Sequence, residues 1–130
     1  MNVIICIDNR GGVAFNHRRQ SRDQVLCQKL TETYGKIKIA PYSEPLFAPD
    51  SVCVVDDPLN HTGKGESCFI EKQTLSGYED RIEELILCKW NRDYPGDVFL
   101  GIDLNGWRLL HTLEFPGKSH VKITMEVWKK

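Results

Sequence analysis

The chain has 130 residues, of which 41% are hydrophobic and 27% are charged, and its formal net charge is −1. This length predicts a single domain over residues 1–130, and the near-neutral charge makes a nucleic-acid partner unexpected, because such binders usually carry a strong positive excess. No apolar run approaches the roughly 20 residues of a membrane span, and the apolar start is too short for a signal peptide, so we expect a cytoplasmic protein with no membrane partner.

The cysteine and histidine residues indicate neither a metal site nor a redox couple. The cysteines lie singly along the chain, at Cys6, Cys27, Cys53, Cys68 and Cys88. Their number is odd and no pair has CxxC spacing, so we predict free thiols that behave as small buried hydrophobes in a reducing compartment. The histidines His61, His111 and His120 are too far apart for a metal set and are predicted to lie at the surface or at strand ends.

The first half of the chain predicts several strands around one helix. Residues 3–7 form a continuous apolar run that suits a central strand. Ser21 is the predicted helix N-cap, with Gln24 three positions later, and Gly35 is the predicted C′ residue. Further strands are predicted at residues 36–40, 51–55 and 67–71.

The second half predicts one short helix and then strands. Residues 78–84 indicate one to two helical turns, followed by a strand over residues 85–90 and a possible short strand over residues 97–100. Residues 107–115 and 121–128 form a predicted antiparallel pair. The last strand alternates strictly, with one face formed by Val121, Ile123, Met125 and Val127. The predicted fold class is α/β, with a mixed sheet.

Two regions of the chain carry a family resemblance. They are the start, residues 3–16, and the segments Glu84-Leu-Ile-Leu-Cys-Lys-Trp-Asn-Arg-Asp-Tyr-Pro-Gly-Asp-Val-Phe, Gly106-Trp107 and Ser119-His120-Val-Lys-Ile-Thr-Met-Glu-Val-Trp128. In order and spacing these resemble the dihydrofolate reductase family. The resemblance implies a mixed, mainly parallel central sheet with a C-terminal antiparallel pair. One helix fewer is expected, because residues 59–66 read as a loop.

The resemblance also implies a set of ligand contacts, namely Ile5, Phe15, Asp23 and Cys88. Asp23 matches the acidic residue that supplies the single ionisable group of the family's pterin pocket, and is the candidate catalytic residue. A carboxyl group buried in an apolar pocket has a raised pKa and can relay a proton to a bound heterocycle. Alternatively, Asp23 is an acidic residue that the helix dipole favours in a first turn.

The positions that bind NADPH in the family are changed here. Glu71-Lys72-Gln73 stands where a Gly-Gly pair would approach the pyrophosphate, and Ala40-Pro41-Tyr42-Ser43 replaces a segment that grips the phosphates. Pro49-Asp50 stands where the arginine for the folate carboxylate is expected. The resemblance therefore implies a degenerate NADPH site, and no cofactor is expected unless the protein remains a reductase.

Three functions remain open. The first is a module that binds an unknown small molecule or protein and is not a competent reductase. The second is an NADPH-dependent reductase of dihydrofolate or a related heterocycle that uses Asp23. The third is a phosphate- or nucleic-acid-related role for a basic cluster of Arg18, Arg19 and Arg22, which is otherwise a solvated edge.

Nucleophilic catalysis is not expected, because no serine or cysteine has a recognisable His–Asp arrangement beside it in the sequence. Exposed strand edges could be covered by a second copy of the chain, so a homodimer is a further possibility.

Overall fold

Ten strands and one α-helix form the framework of the computed structural model, which describes residues 1–130. The strands in chain order are β1 (Asn2–Ile7), β2 (Gly12–Phe15), β3 (Arg18–Arg19), β4 (Ile37–Ile39), β5 (Val52–Val54), β6 (Ser67–Ile70), β7 (Glu84–Lys89), β8 (Val98–Phe99), β9 (Arg108–Phe115) and β10 (Ile123–Lys129). The helix α1 is Gln24–Tyr34, and short 3-10 helices cover Pro41–Leu46, Pro58–Asn60 and Glu79–Arg81. None of the helices has the length and hydropathy that a membrane crossing requires.

The main sheet has seven strands in the order β5-β4-β6-β1-β7-β10-β9. The pairs from β5 to β7 are parallel, and β10 runs antiparallel to both β7 and β9. This confirms the predicted mixed, mainly parallel sheet with a C-terminal antiparallel pair. A small second sheet has the order β3-β2-β8. β5 and β9 are the edges of the main sheet, and dimerisation through an edge stays a prediction.

Alternate residues of the central strands face two separate hydrophobic clusters. Val3 and Leu85 belong to the cluster on one face of the sheet, and Ile4 and Ile86 belong to the cluster on the other face. The apolar side of α1, which includes Leu26, packs into the second cluster. The residues on both faces of β1 are therefore buried, as its continuous apolar run predicts.

Several element boundaries differ from the prediction. The helix begins at Gln24 with Asp23 as its N-cap, and not after Ser21, because the Asp23 carboxylate accepts the first free helix N–H groups. The expected helical turns over residues 78–84 reduce to a three-residue 3-10 helix. The last strand starts at Ile123, and Val121 is 86% exposed. β2 and β3 were not predicted, because their few residues carry no periodic pattern.

The packing of β1 yields a stability prediction. Ile4→Ala is expected to lower the free energy of unfolding by about 2–5 kcal/mol, because it leaves a cavity beside a fully buried position. Val121→Ala is the matched control, since its side chain is largely in solvent, and should change stability by less than about 0.5 kcal/mol. Urea unfolding measures both, and equal effects would contradict the assigned core.

Candidate functional site

The carboxylate of Asp23 joins the start of α1 to the loop before β10. Asp23 is only 2% exposed. Its Oδ1 accepts hydrogen bonds from the backbone N–H groups of Val25 at 3.0 Å, Leu26 at 3.3 Å and Lys118 at 3.0 Å. Its Oδ2 accepts one from the N–H of Ser119 at 2.8 Å and lies 3.0 Å from His120 Nδ1. Five donors thus meet a group with about four lone-pair directions.

The pKa of Asp23 is low, which is the opposite of the raised value expected for a proton relay. Burial alone would raise it, but hydrogen bonds from His120 and from the N–H groups of Lys118, Ser119 and Leu26 outweigh burial and lower the pKa to about 2. Asp23 is therefore an ionised helix cap at neutral pH. The expectation of a raised pKa is wrong, and a catalytic role for Asp23 stays a prediction.

His120 continues the network away from Asp23. Its Nε2 lies 3.1 Å from Ser21 Oγ and 3.0 Å from the hydroxyl oxygen of Tyr94, and these two oxygens are 3.3 Å apart. The ring stacks on Trp90 with centroids 4.5 Å apart and planes inclined by 21°. In a neutral ring, a proton on Nδ1 that points at Asp23 leaves Nε2 as the acceptor. The histidine is 4% exposed and lies in the loop before β10, so of the two predicted placements, at the surface or at a strand end, the surface placement is wrong.

Ser21, His120 and Asp23 thus form a serine–histidine–aspartate arrangement, contrary to the expectation that no serine has such neighbours. No local sequence pattern indicates this arrangement, because Asp23 and His120 are 97 positions apart. Ser119-His120 belongs to the resembling segments, yet no pattern linked that pair to the residues at the start of α1.

A glycine allows the loop to approach Asp23 this closely. A Cβ atom on Gly117 would lie 2.5 Å from Asp23 Oδ2 and 2.8 Å from Ile123 Cδ1, both of which are held in the core. The backbone N–H of Gly117 also bonds to the carbonyl of His120 at 3.0 Å, which closes the loop on itself. Any side chain at this position would separate the loop from the carboxylate.

A second buried carboxylate, Asp8, positions Tyr94. Its Oδ2 accepts from the backbone N–H of Tyr94 at 3.1 Å, and its Oδ1 accepts from the N–H groups of Arg10 at 3.0 Å and Gly12 at 2.8 Å. Burial would raise the pKa of Asp8, but these N–H groups and the Arg10 charge lower it below its usual range. The turn after β1 and the segment that carries Tyr94 are therefore fixed together.

A third network lies at the end of β6. The Arg19 guanidinium binds Glu71 in a bidentate manner, with Nε–Oε2 at 2.8 Å and Nη2–Oε1 at 3.1 Å. Ser43 Oγ donates to the same carboxylate at 2.8 Å, and Tyr42 accepts a 3.1 Å bond from Arg19 Nη2 through its carbonyl. Lys72 Nζ lies 3.7 Å from the centre of the Tyr42 ring. Two of the altered segments, residues 40–43 and 71–73, therefore meet around Arg19.

Two spaces adjoin these networks. A narrow cavity of about 10 Å³, enough for one water molecule, is lined by residues that include Gln20, Ser21, Arg22, Asp23 and Glu71. An open groove of about 540 Å³ runs between α1 and the 3-10 helix Pro41–Leu46 with the residues after it. The groove shares with the cavity the residues Arg22, Asp23, Cys27 and Leu46.

The structure brings some of the predicted site residues together and leaves others apart. Asp23, Arg19 and Arg22 line the narrow cavity. Ile5 and Cys88 are fully buried within the core, and Phe15 is 46% exposed on β2, so none of these three lines either space.

The basic cluster is also divided. Arg19 is paired with Glu71, whereas Arg18 and Arg22 are exposed and form no ion pair. Arg18 and Arg19 lie on β3, which pairs with β2, whereas Arg22 lies just before α1.

The low pKa of Asp23 predicts a dependence of stability on pH. The pKa of Asp23 in the folded protein lies below the unfolded value of about 3.9. Ionised Asp23 therefore contributes about 2–3 kcal/mol to the free energy of unfolding above about pH 4, and this contribution is lost as the pH falls towards 2. Asp23→Asn should flatten the fall in unfolding free energy between about pH 5 and pH 2 in urea titrations. Asp93→Asn, an exposed control without an ion pair, should retain it. An unchanged slope in Asp23→Asn would contradict the assignment.

The close approach at Gly117 predicts a second effect. Gly117→Ala is expected to cost about 1–3 kcal/mol of unfolding free energy, because the new Cβ displaces the loop from Asp23. Lys118→Ala is the control, since it keeps the backbone N–H that binds Asp23. Equal unfolding free energies of the two variants in urea would show that the loop can move away from Asp23 without a loss of stability, which would contradict the prediction.

Comparisons with known proteins identify the architecture. No protein-family model matches the sequence, and no curated protein gives a significant match. Among solved structures, the dihydrofolate reductase from Enterococcus faecalis, in complex with NADP(H) and RAB-propyl, superposes with a TM-score of 0.68. The match covers 98% of this chain and 94% of that chain at 14% sequence identity. Identity this low concerns the fold and not the activity. The chain has a divergent dihydrofolate-reductase-like fold.

Proposed function

We propose that this protein is a dihydrofolate-reductase-like binding module with a degenerate NADPH site. It takes a small anionic ligand in the groove beside Arg22 and is not a competent reductase. The observation that carries the proposal is the saturation of Asp23 by five donors from its own chain. A pterin would have to displace several of these bonds before it could pair with the carboxylate.

The residues at the end of β6 also support the proposal of a degenerate NADPH site. Glu71 follows β6, at the position where the resemblance implies a Gly-Gly pair, and its side chain is 7% exposed. Its carboxylate is held by Arg19 and Ser43. An anionic pyrophosphate would meet this negative charge and a backbone that carries side chains, so these residues do not fit NADPH.

The groove supports a different kind of ligand. Its volume of about 540 Å³ lies within the range of small-molecule sites. Leu46 and Phe47 provide an apolar wall, and Gln28 and Thr31 of α1 provide polar groups. Arg22 is the cationic residue of this lining, and it forms no ion pair within the chain. A compact ligand with an apolar body and one carboxylate or sulfonate matches this lining.

The alternative function is an NADPH-dependent reductase that uses Asp23. The observation in its favour is the fold likeness to an enzyme whose structure holds NADP(H). That alternative requires both the Asp23 network and the Arg19–Glu71 pair to open on binding. The phosphate or nucleic-acid alternative is weakened, because Arg19 is already paired and leaves only Arg18 and Arg22 as free charges.

Calorimetry distinguishes the module from the reductase. We expect no saturable heat of NADPH binding, which corresponds to a dissociation constant weaker than about 1 mM. No dihydrofolate should be consumed in the presence of NADPH. Micromolar NADPH binding, together with dihydrofolate turnover that disappears in Asp23→Asn, would overturn the proposal and establish the reductase.

The groove is tested with the anionic fluorophore 8-anilinonaphthalene-1-sulfonate. Its enhanced emission should saturate with the native protein, and Arg22→Ala should weaken binding by about tenfold, because a charge-assisted contact is lost. Arg18→Ala removes an exposed arginine outside the groove and should leave affinity unchanged. Equal weakening in both variants would indicate unspecific charge attraction.

A further inference from the structure

We propose that Ser21, His120 and Asp23 act as nucleophile, general base and orienting carboxylate, and that the protein hydrolyses small carboxylic esters that carry a negative charge. This activity goes beyond ligand binding. It uses the same groove to hold part of the substrate, so it shares the assignment of Arg22 with the proposed function.

The geometry meets the requirements of a nucleophile–base pair with an orienting group. Ser21 Oγ is 3.1 Å from His120 Nε2, and Asp23 Oδ2 is 3.0 Å from His120 Nδ1. Both distances lie within the hydrogen-bond range over which a base takes a proton from a serine hydroxyl. The two nitrogen atoms of one ring thus connect the hydroxyl to the carboxylate, in the order that this chemistry needs.

The imidazole has little freedom to leave this position. Its side chain is 1% exposed, that of Asp23 is fully buried, and Trp90 stacks against the ring face. Tyr94 is a positioning residue, since its hydroxyl lies 3.3 Å from Ser21 Oγ as donor. The Tyr94 hydroxyl also lies 3.0 Å from His120 Nε2, so it has one proton and two neighbouring acceptors. The reactive arrangement is the one in which Tyr94 donates to Ser21 Oγ and the Ser21 proton points at Nε2. A structural cap for α1 needs only Asp23, so it does not account for Ser21 and Tyr94 on the far side of the ring.

The reactive end of this network faces a cavity. Ser21 is half-buried and lines the narrow cavity, whereas His120 and Asp23 are enclosed behind it. Gln20 lines the same cavity, and its Oε1 is buried without a hydrogen-bond partner. The cavity has room for about one water molecule, which is enough to supply a hydrogen-bond partner for that oxygen.

The reaction has two balanced stages. In the first stage, Ser21 Oγ forms a bond to the ester carbonyl carbon and its proton passes to His120 Nε2. The bond between that carbon and the alcohol oxygen then breaks, and the alcohol leaves with the proton from Nε2. Water next attacks the acyl carbon and gives a proton to Nε2, the bond to Ser21 Oγ breaks, and Oγ recovers the proton. The products are an alcohol and a carboxylic acid. Arg22, which lines both spaces, is the cation available to the substrate's negative charge.

Fluorophosphonate labelling tests the nucleophile directly, because the reagent forms a Ser Oγ–phosphorus bond and releases fluoride. Intact mass should show one adduct per chain, and peptide mapping should place it on Ser21. Ser76→Ala, an exposed serine outside both spaces, should label as the native protein does, and Ser21→Ala should not label. No adduct, or an adduct elsewhere, overturns the proposal. If Ser21→Ala fails to fold, the mapped native adduct decides alone.

Ester hydrolysis tests the substrate class. The native protein should cleave 4-nitrophenyl hydrogen succinate faster than 4-nitrophenyl acetate, and Ser21→Ala should lose at least about a hundredfold in kcat/KM on both esters. Arg22→Ala should remove the preference for the anionic ester. Equal hydrolysis by the native protein and Ser21→Ala overturns the proposal. If anilinonaphthalene sulfonate binds but Ser21 is not labelled, the ligand-binding groove is supported and the nucleophile is rejected. If Ser21 is labelled but the fluorophore does not bind, the nucleophile is supported and the ligand-binding groove is rejected.

Discussion

The bonds that converge on the Asp23 carboxylate are the constraint on which the site depends. They cap α1, hold the loop before β10 against the helix start and fix the His120 ring. An ionised carboxylate is costly to bury, and the hydrogen bonds from these donors offset that cost. A residue that the resemblance assigns to ligand chemistry is thus bonded to the helix start, to the loop before β10 and to His120.

The same principle operates at the end of β6. Glu71 brings a negative charge to a place where the resemblance implies an open backbone, and Arg19 with Ser43 neutralises it. In the proposed function, both networks occupy with internal partners the positions that the resemblance assigns to ligands. Arg22, which lines both the cavity and the groove, forms no ion pair. The sheet is similar to that of dihydrofolate reductase, whereas the side-chain contacts around the site differ from those that the resemblance implies. A family-like fold can therefore carry a different proposed activity.

The central strand β1 and the last strand β10 were predictable, because the continuous apolar run of β1 and the alternation in β10 follow directly from which faces are buried. The helix start was misplaced since Ser21 and Asp23 are both good N-caps, and only the contact of Ser21 with His120 decides between them. The site itself was not predictable. Contacts between residues 97 positions apart, such as Asp23 and His120, arise from topology and leave no local pattern.

The most direct test is an NMR titration of the Asp23 carboxyl carbon in the folded protein. If the carboxylate is saturated by its five donors, its resonance should titrate with a midpoint of about 2. The midpoint should rise when Gly117→Ala displaces the loop. A midpoint above about 4 in the native protein, the range of an unperturbed or raised aspartic acid, would contradict the account and return Asp23 to the role of a proton donor for a bound ligand.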